Sequence, residues 1–263
     1  MLEKYRTGSV IRRARTGLAA LLLACLGLVL GYSPSYGVQK ETQEEKAANL
    51  KKQATGGLFQ RWTFDQDQPN AQPSSFVKGI STDEPLADWA VQDHATAPSP
   101  PNVIAGSSSC TQLCYQMLLV KGLEYEYPDL SVRFHAQEGT SGLGGMVFGV
   151  RDTNNFYATI VDPIGQKVQL VRIMNGSELP LAQASISLKK VDWHSLRVQR
   201  NTIISKDFIE VFVDGVLVLS VEDQALGLGQ IGLIVRGTST VLFDSFHAVP
   251  LFSHRPLSAP PAY

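Results

Sequence analysis

The segment Phe208-Ile209-Glu210-Val211-Phe212-Val213, Asp214-Gly215, Val216-Leu217-Val218-Leu219-Ser220-Val221 constrains this chain more than any other. Asp-Gly accepts positive φ at both positions, as a type I′ turn requires, and the twist of that turn suits an antiparallel pair. The same pattern recurs along the chain. Leu130-Ser131-Val132-Arg133-Phe134 is apolar at every second position, the period of a half-buried strand. Residues 145–150 and 156–161 are β-rich and flank the turn cluster Asp152-Thr153-Asn154-Asn155, and residues 167–174 run into Asn175-Gly176. Residues 193–198, 229–235 and 241–248 complete the series. About ten to twelve short strands without a sustained helical period predict an all-β fold, two packed antiparallel sheets in a sandwich.

Charge excludes one class of partner. The 263 residues carry 23 Lys plus Arg against 24 Asp plus Glu. The first 37 residues hold five of the bases (Lys4, Arg6, Arg12, Arg13, Arg15) and one acid, Glu3, so the remainder has 18 bases and 23 acids, a net charge near −5. A mildly acidic body offers no electrostatic footprint for nucleic acid.

The basic flank precedes an apolar run, Gly17 to Gly31, of about 15 residues, shorter than the roughly 20 that cross a bilayer comfortably. Ser35 and Gly37 follow with the small-residue spacing of a cleavage site. Residues 1–37 are therefore expected to be a signal peptide of a secreted or periplasmic protein, cut after Gly37. An uncleaved membrane anchor and a lipid attached at Cys25, within Leu22-Leu23-Ala24-Cys25, are the alternatives. Residues 38–57 read as a charged spacer, 58–249 as the sandwich and 250–263 as a Pro-rich tail, with no membrane span in the mature part. In an oxidising compartment Cys110 and Cys114 are expected to pair, in what reads as a small polar loop (Ser107-Ser108-Ser109). So short a ring removes little chain entropy. Zinc is not expected there, because the cysteines lack a second ligand pair.

The stretch W-H-S-L-R-V, I-E-V-F-V-D-G, G-Q-I-G-L-I-V-R-G and V-L-F-D-S-F-H-A-V, between Trp193 and Val249, resembles the closing strands of the concanavalin A-like (laminin G-like) jelly rolls. G-G-M-V-F-G-V-R-D-T-N-N-F-Y-A-T-I-V-D, from Gly144 to Asp162, resembles their middle hairpin. W-T-F-D-Q-D-Q-P-N-A-Q-P, from Trp62 to Pro73, with Asp88-Trp89-Ala90-Val91 resembles their first strands. The resemblance implies a jelly-roll fold; it leaves activity open, since this fold serves lectins, glycosidases and adhesive modules. Laminarinase-type chemistry needs Glu-x-Asp-x-x-Glu on one strand, and Glu210 with Asp214 has the wrong spacing. The 3-keto-disaccharide hydrolase-type domains are similar in the Asp88-Trp89 start and the central and closing strands. Those domains usually carry arginine where this chain has Gly149, and histidine and glycine near Val235-Arg236-Gly237. Both departures are expected to strip polar groups from the concave face.

Several residues follow as candidates. The resemblance places Arg151, Tyr157 and Arg172 on or beside the hairpins of the concave sheet, where they would bind carbohydrate hydroxyls or anionic sugar groups; an ordinary solvated strand face is the alternative. It also places Asp65 and Asp244 on neighbouring first and last strands, where relatives hold Ca2+. Two carboxylates alone do not make such a site, and capping or turn bonding is the alternative. Trp62, Trp89 and Trp193 are expected to pack in the core or at an edge. His94, His135, His194, His247 and His254 show no ligand spacing. The reading is a non-catalytic module that binds carbohydrate or a cell-envelope partner, with a hydrolase or a purely structural module as alternatives.

Overall fold

Positive-φ residues place the reversals. Asn175 and Gly176 take φ of 51° and 75°, and Asp214 and Gly215 take 48° and 80°, so both expected hairpins turn where the sequence puts them. The computed structural model describes residues 59–110, 114–189 and 192–251. Residues 1–37, expected to be a signal segment, the whole of the spacer and most of the tail lie outside the described residues.

Among those residues are fifteen strands: β1 (Gln60–Trp62), β2 (Phe76–Ile80), β3 (Asp88–Asp93), β4 (Asn102–Ser109), β5 (Tyr115–Tyr125), β6 (Pro128–Ala136), β7 (Gly144–Asp152) and β8 (Asn155–Asp162), then β9 (Lys167–Met174), β10 (Ser177–Ser185), β11 (His194–Ile203), β12 (Lys206–Val213), β13 (Val216–Glu222), β14 (Gly229–Arg236) and β15 (Thr238–Pro250). They form two antiparallel sheets. The eight-stranded sheet runs β13-β12-β11-β6-β15-β4-β3, with β1 paired to β15, and the seven-stranded sheet runs β10-β9-β8-β7-β14-β5-β2. Strand β4 ends within what read as a polar loop: Ser107, Ser108 and Ser109 are its last residues and pair with β15.

Cys110 follows β4 in one sheet and Cys114 precedes β5 in the other, and a disulfide joins them. Both are buried. The bridge therefore pins a crossover between the sheets.

Between the sheets lies an aromatic core that includes Phe76, Trp89, Phe134, Phe148, Phe243 and Phe246. Trp89 is 1% exposed and stacks near Phe243, and Trp62 stacks on Phe246 at 5.2 Å, so these tryptophans pack as expected. Gly106 is required beside Trp89, since a Cβ there would lie 2.5 Å from the indole ring.

The outer face of the seven-stranded sheet is apolar as well. Met117, Leu119, Val147, Phe156, Ala158, Ile160, Val171, Ile173 and Ile234 form a second buried cluster on that side. Strand β8 shows the consequence: Tyr157 and Val161 point into the sandwich, and Phe156, Ala158 and Ile160 point to the other face. A strand buried on both sides is a continuous apolar run in which alternation disappears.

Candidate functional site

The outer face of the seven-stranded sheet is closed by a polar clasp. Arg236 at the end of β14 donates from Nη2 to Glu178 Oε2 at 2.7 Å, and the Tyr115 hydroxyl donates to the same oxygen at 2.5 Å. The Arg236 guanidinium lies 4.7 Å from the centre of the Tyr115 ring. Glu178 belongs to the edge strand β10, four strands away from β14 and five from β5. In a flat sheet four strand spacings would separate the backbones by ~19 Å. The bonds form because the sheet coils until its far corner faces β14 and β5. Tyr115 and Phe156 meet across the same face at 5.3 Å, edge to ring. The face is a concave trough with an apolar floor and an Arg–Glu–Tyr closure.

Burial sets the electrostatics of this closure. The Arg236 side chain is 8% exposed and that of Glu178 33%. Arg236 Nε is buried without a hydrogen bond, and both bonds to Glu178 fall on one carboxylate oxygen. The Tyr115 hydroxyl is pushed well above its ordinary pKa, first by burial and then by its bond to Glu178. It is therefore a hydrogen-bond donor throughout the physiological range. Arg236 also corrects one expectation: this departure in the late strand adds a guanidinium to the concave face.

The three residues expected to bind carbohydrate lie elsewhere. Gly149, at φ 58°, sits in a register irregularity of β7, so Phe148 and Val150, two positions apart, face opposite sides of the sheet. Arg151 beyond it is exposed at the hairpin. Tyr157 and Arg172 are register partners on β8 and β9 that face into the sandwich. There both bond the Asp223 carboxylate, Tyr157 through its hydroxyl and Arg172 through Nη1. The Ala225 amide adds a third bond to Asp223, and the Leu226 amide donates to the Tyr157 hydroxyl. Beside them Arg200 and Asp207 form a buried pair at 2.9 Å. Tyr157 is fully buried in the core between the sheets, so this cluster lies inside the sandwich and does not line the trough. The expected face was wrong because two-sided burial hides which residues point inward.

Asp65 and Asp244 do come together. Asp65 lies in the turn just after β1, and Asp244 is fully buried on β15. What joins them is Ser99: its amide donates to Asp244 Oδ2 at 2.6 Å and its hydroxyl to Asp65 Oδ2 at 3.2 Å. The amides of Asn102 and Ser245 bond the other two oxygens. Every carboxylate oxygen thus accepts from a protein donor, and two of those donors stand between the acids. Calcium needs six to eight oxygen ligands, and no group of three or more potential ligating side chains is present among the described residues. The pair fits turn bonding and does not fit a calcium site. Burial and then the Asp65 charge raise the Asp244 carboxyl above its usual range, against the bonds from Ser99 and Ser245.

Asp214 at the β12–β13 turn serves the turn itself, accepting the Ser195 amide at 2.8 Å and pairing with His194. The clasp residues Tyr115 and Glu178 escaped the sequence reading, for they lie 63 positions apart and neither breaks the local pattern.

No family model matches the chain, and no curated protein matches it. Solved structures do. A carbohydrate-binding module, CBM66 from Bacillus subtilis, superposes with a TM-score of 0.52 over 64% of this chain and 92% of that one, at 19% identity. The cellulose-induced protein Cip1 superposes with a TM-score of 0.53 over 73% of this chain and 97% of that one, at 13% identity. At such identity the likeness speaks to fold. This chain is a concanavalin A-like jelly-roll sandwich.

Proposed function

We propose that the protein is an exported, non-catalytic β-sandwich that binds carbohydrate, or another cell-envelope component, on the concave face of its seven-stranded sheet. The observation that carries this reading is the clasp over an apolar floor. A sugar ring presents C–H faces to apolar and aromatic surfaces and hydroxyl edges to charged groups. Phe156 and Tyr115 supply the first kind of contact, and Arg236 with Glu178 the second. Pockets that combine an apolar lining with a few convergent polar groups are the usual form of a small-molecule site. The fold likeness to a carbohydrate-binding module and the signal-like segment between Arg12 and Gly37 support the same reading.

Binding requires the clasp to open, with ligand hydroxyls replacing the bonds between Arg236, Tyr115 and Glu178. Full-length protein applied to a glycan array tests the proposal. Retention of at least one glycan is expected, with loss on Arg236→Ala and on Glu178→Gln. No retention of any glycan would count against the sugar version. A purely structural module is the second reading, favoured by the burial of the trough floor. Burying each side chain of that size stabilises by ~1.5–3 kcal/mol, which gives the floor a use without a ligand.

A further inference from the structure

On the opposite side of the molecule, the outer face of the eight-stranded sheet gathers three aromatic side chains from three chain segments. His94 follows β3, His135 lies on β6 and Trp193 immediately precedes β11. Their ring centres form a near-equilateral triangle: His94 to His135 is 6.0 Å, His94 to Trp193 is 5.7 Å and His135 to Trp193 is 5.5 Å. The triangle is anchored on all sides. Trp193 packs on the apolar cluster of Ala97, Val103, Ala105 and Leu242, and its Nε1–H donates to Thr96 Oγ1 at 3.1 Å. Arg133 Nη2 holds the Trp193 carbonyl at 3.0 Å.

Both imidazoles are held through Nδ1, and for His135 the partner fixes the tautomer. His135 Nδ1 faces the Asp192 carbonyl at 3.2 Å, and a carbonyl only accepts, so this nitrogen carries the proton and Nε2 presents its lone pair. His94 Nδ1 lies 3.3 Å from Thr96 Oγ1; the Trp193 N–H occupies one lone pair of that hydroxyl, which can either donate its proton to Nδ1 or accept from it, so binding through Nε2 selects the tautomer in which the hydroxyl accepts. A ring held through one nitrogen to a backbone or side-chain oxygen, with the other nitrogen left over, is the outer-shell arrangement of metal-ligating histidines.

The spacing agrees. With metal–nitrogen bonds of 2.0–2.1 Å, an imidazole centre lies ~3.2 Å from the ion, so two rings stand ~5.2 Å apart at a tetrahedral angle and ~6.4 Å apart in line. The observed separation falls between those limits. We propose that His94 and His135 form a site for a divalent transition-metal ion of the kind imidazole favours, copper(II) above zinc(II), through their Nε2 atoms beside Trp193. No third His, Cys, Asp or Glu joins them among the described residues, so water or an incoming oxygen ligand fills the remaining positions. The Arg133 charge nearby works against the ion and keeps the site weaker than a three-histidine centre.

The test uses the full-length protein, stripped with chelator and titrated with copper(II) and separately with zinc(II). Copper is expected to quench tryptophan fluorescence with saturation at one equivalent, since Trp193 adjoins both rings. His94→Asn and His135→Asn keep a donor where Nδ1 stands and remove Nε2. Each is expected to weaken binding by about tenfold or more with unchanged thermal stability. Trp193→Phe is expected to lose the quench while calorimetry still finds the site, and His254→Ala to change nothing. Absence of saturable quenching, or saturation unaltered in both asparagine variants, would overturn the proposal.

Discussion

Asp223→Ala separates the two uses that Tyr157 and Arg172 could have. In the structure the Asp223 carboxylate accepts from the Tyr157 hydroxyl, from Arg172 Nη1 and from the Ala225 amide. Its side chain is 9% exposed, and that of Arg172 is 20% exposed. Removing one partner of a buried ion pair costs about 3–5 kcal/mol, because the other charge remains unpaired. Arg172 retains some access to water, which puts the expected loss near the lower limit, about 3 kcal/mol. For a domain of this size each kcal/mol moves Tm by about 2–4 °C, so the transition should fall by about 6–12 °C. Urea and thermal unfolding of the full-length protein measure it. Tyr157→Phe removes one donor to the same carboxylate and is expected to cost about 1–2 kcal/mol. Because the two changes share a partner, the double variant should lose less than their sum. Any carbohydrate retained by the wild type should still be retained by the folded Asp223→Ala protein. A loss under 1 kcal/mol accompanied by abolished carbohydrate retention would refute the reasoning and return Tyr157 and Arg172 to a ligand site.

Three further outcomes are expected. Burial raises the pKa of Tyr115, Tyr125, Tyr127 and Tyr157, Tyr125 to about 12, so the folded state holds phenolic protons that the unfolded chain releases near pH 10. Stability should therefore be insensitive to these groups below pH 10 and fall from pH 10 to 12, as a series of urea midpoints would show; a midpoint constant across that window would contradict it. Millimolar calcium should leave Tm where chelator leaves it, because Ser99 donors occupy the space between Asp65 and Asp244; a rise that vanishes with Asp244→Ala would restore the metal reading. Replacing both Cys110 and Cys114 with serine should cost about 2 kcal/mol, the loop-closure value for so short a ring, measured by urea unfolding against the oxidised protein.

How much was legible in the sequence depended on where the physics is local. Asn175-Gly176 and Asp214-Gly215 turn through left-handed backbone that such residues accept, and both hairpins could be read. The β11–β12 hairpin turns through Ile204 and Ser205 at φ 47° and 67°, without a glycine. A β-branched residue in that conformation carries no turn signal, and Ile204, 93% exposed, looks like part of a strand. The facing of Tyr157 was hidden for a different reason, since β8 is buried on both sides and the bulge at Gly149 shifts the parity of β7. The clasp depends on sheet coiling. Glu178 meets Arg236 across four strands, a contact that no local spacing encodes. Asp65 and Asp244 were paired through strand order, but the serine between them came from a distant loop.

The central claim, that the clasped trough is a carbohydrate site, is tested most directly by isothermal titration of a glycan retained on the array into wild-type, Arg236→Ala and Glu178→Gln proteins. The account predicts saturable binding to the wild type and a loss of at least about tenfold in each variant, equal to about 1.4 kcal/mol, with each variant still folded. Affinity unchanged in both folded variants would contradict it.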